Sequence, residues 1–89
     1  MIPIKEAVES AVTFAQGVLE PVRTGAILLE EVEARTANGR DVWLITLSLP
    51  DPSYPMSFSA GHRQYKTFTA DGQTGEVLSM KIRQLSTAA

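Results

Sequence analysis

His62 is the only histidine of the chain, and it lies within five residues of Ser57 and Ser59. The chemistry such a set suggests is hydrolysis, with an imidazole drawing the proton from a hydroxyl nucleophile. No carboxylate stands in a position to orient the imidazole, and the Gly-x-Ser-x-Gly elbow that exposes a nucleophile is missing. His62, directly after Gly61, therefore reads as a turn histidine, and no catalytic residue is expected. Glu30, Glu31 and Glu33 could offer oxygens to a hard cation. On a strand, however, Glu31 and Glu33 project from one face and Glu30 from the other, so the three do not converge on one ion. The glycines of Gly72-Gln73-Thr74-Gly75 have the spacing of a nucleic-acid-clamping Gly-x-x-Gly loop. That loop joins helices, and the flanking pattern here is that of strands. With no cysteine, disulfides and thiolate metal sites are excluded, and neither a metal nor a cofactor is expected.

The elements that would carry these residues fit one small domain over residues 1–89. A chain of this size buries about 60–65% of its unfolded surface, enough for one thin core and not for a nucleotide-binding fold. Apolar residues Ile4, Ala7, Val8, Ala11, Val12, Ala15, Val18 and Leu19 recur at steps of three and four, which predicts a helix over 3–19 with one buried stripe. Pro3 suits its first turn, while Gly17 and Pro21 weaken and end it. Glu6, Glu9 and Glu20 interrupt this segment, so it reads neither as a signal peptide nor as a membrane span, and a cytoplasmic location is expected.

Asn38-Gly39 is the dipeptide of a two-residue type I′ hairpin, between strands expected at 25–36 and 41–49. With Ala37 facing Arg40, the register pairs Ala34 with Trp43, Val32 with Ile45, Glu30 with Leu47 and Leu28 with Leu49. Glu30 is the polar exception on an otherwise apolar face. The stretch 50–62 is dense in turn residues and includes Pro50, Pro52 and Pro55, so it is read as a loop. A second hairpin is expected at 63–70 and 76–84, bent at Asp71 to Gly75. A five-residue bend pairs Phe68 with Leu78 and Lys66 with Met80; a bulge at a glycine would instead bring Tyr65 to the core side, and the pattern does not choose between them. Residues 86–89 read as a frayed tail.

The resulting expectation is an α+β fold, one N-terminal helix on a four-stranded antiparallel meander, covering Trp43, Ile45, Leu47, Leu28, Val32, Phe68, Met80 and Ile82. A helix about 10 Å across does not span four strands at about 4.8 Å spacing, so part of the sheet needs another cover. The alternating Tyr54, Met56 and Phe58 of the loop could provide it, or could serve as a docking surface.

The string Tyr65 to Arg83, with Asp71, Thr74, Gly75, Glu76 and Val77 at its bend, resembles the end of a PepSY domain. The preceding order of Ala-rich helix, Glu-containing strand, turn and aromatic strand is also similar, so the likeness covers most of the chain. It implies a cystatin-like helix on an antiparallel sheet, no catalytic residues, and a module that binds or inhibits peptidases or otherwise regulates a protein partner.

The net charge of −2 argues against an electrostatically driven nucleic-acid binder. It conceals an asymmetry. Residues 1–51 hold eight acids and four bases, a net of −4, whereas 52–89 hold two acids and four bases, a net of +2. In a meander the first and last strands are the edges, so Glu31 and Glu33 mark an acidic edge, and Lys81 and Arg83 a basic one. Unpaired edges of opposite charge invite a protein partner or a second copy. The functional expectation is a non-catalytic protein- or peptide-binding module with a regulatory or peptidase-inhibitory role; the alternative is a self-associating structural protein with no small ligand. Tyr54, Met56, Phe58, Glu31, Glu33, Lys81 and Arg83 are the candidate partner-binding residues.

Overall fold

The computed structural model describes residues 1–18, 26–50 and 63–83. Helix α1 (Ile4–Val18) precedes four strands, β1 (Leu28–Ala37), β2 (Arg40–Pro50), β3 (Arg63–Asp71) and β4 (Val77–Arg83). These form one antiparallel sheet in the order β1-β2-β3-β4. The expected α+β arrangement is the one observed.

The Pro3 carbonyl accepts the Ala7 N–H at 3.1 Å, so Pro3 occupies the position that begins α1 and needs no donor of its own. Ala7, Ala11 and Ala15, four residues apart, are fully buried, and their small side chains let the helix sit close to the sheet. Beneath them lie Ile45, Leu47, Phe68 and Ala70, all fully buried, with Val32, Trp43, Val77 and Met80 packed around them. Phe14 extends the helix side and meets Phe68 edge to face, with ring centroids 6.1 Å apart.

Asn38 and Gly39 have φ of 53° and 77°, the left-handed pair that a type I′ turn requires. The first hairpin pairs Ala37 with Arg40, Ala34 with Trp43 and Val32 with Ile45 as the dipeptide implied. Beyond Val32 the register departs from expectation. A bulge at Glu30 places Leu29 opposite Leu47 and Leu28 opposite Ser48. The physical reason is polar: the bulge removes the Glu30 carboxylate from the helix side and lets it accept the Ser48 hydroxyl at 2.7 Å. Ser48 is fully buried, and its oxygen also accepts Arg63 Nε at 2.8 Å. Arg63 Nη2 in turn donates to the carbonyls of Ala26 and Ser48, tying the start of β3 to the start of β1.

The second hairpin adopts neither expected register. Phe68 pairs with Met80, and Lys66 with Ile82, because the irregularity falls at Leu78 and not at a glycine. Tyr65 pairs with Arg83 and lies on the face away from the helix. This choice puts Met80 on the Phe68 row beneath α1 and leaves Leu78 exposed. Leu28 and Ile82, expected in the core, are 47% and 73% exposed: the bulge turns Leu28 to the face away from α1, opposite Ser48, and Ile82 ends the helix-side row of Leu47 and Lys66 on the edge strand β4.

Candidate functional site

The Asp71-to-Val77 bend is built by its side chains. Asp71 Oδ1 accepts the N–H groups of Gln73 at 2.7 Å and Thr74 at 3.1 Å, and Thr74 Oγ1 accepts the Glu76 N–H at 3.1 Å. The Gly75 N–H donates to the Asp71 carbonyl, and the Asp71 N–H to that of Glu76. These bonds, chiefly those from Gln73 and Thr74, hold the Asp71 carboxyl below its ordinary range, with Arg40 at 3.4 Å adding to the effect against a desolvation that opposes it.

The bend is also a docking point for the N-terminus. Gly72 donates to the Asp41 carbonyl and accepts the Ile2 N–H, while Trp43 Nε1 donates to the Ile2 carbonyl. A Cβ on Gly72 would lie 2.6 Å from the Asp41 carbonyl oxygen, and Gly75, at φ 80°, would carry one 2.9 Å from Ile2. The Asp-x-x-Thr-Gly pattern thus locks a turn on which the segment leading into α1 is seated.

Among the described residues, α1 leaves uncovered the two sheet edges and the face opposite it. That face carries alternate residues of each strand in cross-strand rows. Glu31, Thr46, Thr67 and Lys81 make one row, and Glu33, Leu44, Thr69 and Ser79 the next. Thr46 and Thr67 hydroxyls lie 3.2 Å apart. Over them Glu31 of β1 forms an ion pair with Arg83 of β4, and Arg83 Nη1 lies 3.4 Å from Thr46 Oγ1. Two strands separate these edges, about 14 Å in a flat sheet, so the pair spans the open face. A cleft of about 200 Å³ lies there, lined by Glu31, Glu33, Leu44, Thr46, Thr67 and Arg83.

The structure therefore brings two of the expected edge residues, Glu31 and Arg83, together across one face. Glu33 pairs with Arg35 on its own strand at 3.1 Å. Lys81 is exposed and makes no ion pair among the described residues. Tyr54, Met56 and Phe58, like His62, Ser57 and Ser59, lie outside the described residues. Among the described residues no group of three or more His, Asp or Glu side chains is placed to hold a metal ion. Nor is any described helix long and apolar enough to cross a membrane.

Sequence reasoning missed the exposed apolar residues at the sheet's uncovered end. Leu29, 49% exposed, and Ile82 stand at opposite ends of the helix-side row Leu29–Leu47–Lys66–Ile82. The signal that could have found them was the shortness of the helix against the strands. β1 is also a ten-residue edge strand on which every residue but Val32 is exposed. Comparison with protein-family models, curated proteins and solved structures finds no match.

Proposed function

We propose that this chain is a non-catalytic protein- or peptide-binding module that accepts an extended segment along the free edge of β1. The observation that carries this reading is the strand itself. β1 is long, terminal in the sheet and exposed almost throughout, and its pairing to β2 is regular from Glu31 to Ala37. A regular edge holds a row of backbone N–H and C=O groups at the spacing a partner strand requires. Alternate side chains of β1 would meet those of the partner: Val32 and Ala34 on the helix side, Glu31, Glu33 and Arg35 on the other.

The likeness to PepSY domains supports a regulatory output, in which the accepted segment belongs to a peptidase or another regulated protein. Selection of extended peptides from a displayed library against the full chain, followed by amide chemical-shift mapping, tests the reading. Bound peptides are expected to shift the amides of Glu31 to Ala37; shifts confined to α1 would overturn it.

A further inference from the structure

We propose that the strand which β1 accepts is β4 of a second copy of this chain, added in the register that continues the existing rows. The inference rests on the reading of β1 as a strand acceptor and adds the partner's identity. In the order β1-β2-β3-β4, each strand is antiparallel to the next, so a second copy placed beside the first presents its β4 antiparallel to β1 without any rotation of the sheet. The cross-strand rows then state which residues would meet.

On the open face, Glu31 begins the row that Lys81 ends, so continuing it sets Glu31 against Lys81 of the next copy. Lys81 is exposed and makes no ion pair among the described residues, and Glu31 has one partner already in Arg83, so the contact completes a mixed cluster without breaking the existing pair. On the helix side, Leu29 begins the row that Ile82 ends, and Val32 the row that Met80 ends. The two exposed apolar residues would therefore cover each other. At the turn end, Arg35 begins the row of Val42 and Asp71, and Asp71 is bonded to Glu76, so a second opposite-charge contact falls in the same register. Charge and apolar rows agree on one alignment, although each follows from separate residues.

Among the described residues, α1 is the element in the layer above, and it leaves room for this contact. Successive helices would stand about 19 Å apart, four strand spacings, against a helix diameter of about 10 Å. The contact is head-to-tail, so it extends as an open row or closes as a ring. An edge-strand interface is small, and its affinity is correspondingly weak.

Sedimentation of the full chain from about 10 μM to about 1 mM covers the range for such an interface. The average mass is expected to climb above 9.7 kDa with concentration. Lys81→Glu and Glu31→Lys are each expected to move the rise at least about tenfold higher in concentration, and an equimolar mixture of the two variants to restore it, because native and reversed pairs then alternate. A mass fixed at the monomer value overturns the proposal. So does association that both variants retain, or a mixture that fails to recover, which would mark a symmetric contact through a single edge. A synthetic peptide of residues 76–83 separates this from the broader reading. Should the peptide shift β1 amides while the chain stays monomeric, β1 remains a strand acceptor and the second copy is not its partner.

Discussion

A single methyl group measures how closely the bend is fitted to the N-terminal segment. Gly72 approaches the Asp41 carbonyl so closely that a Cβ would lie 2.6 Å from its oxygen and 3.1 Å from its carbon, with the Met1 side chain 3.0 Å away. Gly72→Ala is expected to cost about 1–3 kcal/mol in chemical denaturation, the range for forced overpacking. Asp71 acts on the same bend through charge. Its carboxyl is held below the unfolded value of 3.8, so its contribution is present above that pH and is lost as pH falls through the lower, folded value. Asp71→Asn keeps an oxygen for the Gln73 and Thr74 amides but has no proton to gain. Measured as urea midpoint against pH, the wild-type chain is expected to lose more between about pH 5 and pH 2 than the Asn variant does. The pattern Asp71, Thr74 and Gly75 was legible as turn chemistry, but its contact with Ile2 was not, because residues so distant in sequence meet only after α1 has packed.

At the scale of the elements, the bulges decide which side chains the sheet offers. The Asn38-Gly39 turn and the alternation through Val32 made the inner half of the first hairpin readable. Glu30 was readable as a misfit but not as a bulge, since its remedy depends on Ser48 and Arg63 from other strands. Ser48→Ala removes the hydroxyl that joins the Glu30 carboxylate to the Arg63 guanidinium. It is expected to lower stability by about 1–3 kcal/mol, the cost of removing the buried hydroxyl that bridges two charged groups. In hydrogen exchange, the loss should fall on amides near Glu30 and leave the Ala34–Trp43 end of the hairpin unchanged. The second hairpin shows the complementary limit. Two glycines at the bend drew attention to themselves as bulge sites, whereas the irregularity lies at Leu78, where it puts Met80 beneath the helix.

Across the whole molecule, one helix covers one part of a sheet that is wider and longer than it, and the consequences divide between stability and binding. Phe68 lies at the centre of the covered part, fully buried and against Phe14. Phe68→Ala is expected to cost about 3–5 kcal/mol, enough to unfold a domain of marginal stability. The uncovered part carries Leu29 and Ile82, and the edges carry Glu31 and Lys81. The sign asymmetry of the two halves was visible in composition, but its placement was not: Arg83 turns inward to Glu31 over the open face and leaves Lys81 as the outward cation. Which base faces out depends on strand rows that only the two bulges define. Strand acceptance requires that the outer edge of β1, which pairs with no other described strand, be open to a partner. Amide hydrogen exchange along Glu31 to Ala37, measured in dilute chain and again with a saturating partner strand, tests it most directly. The β1 amides that point away from β2 are expected to exchange rapidly in the free chain and to become protected in the bound one. Unchanged exchange along β1 while other amides of the chain gain protection would contradict it.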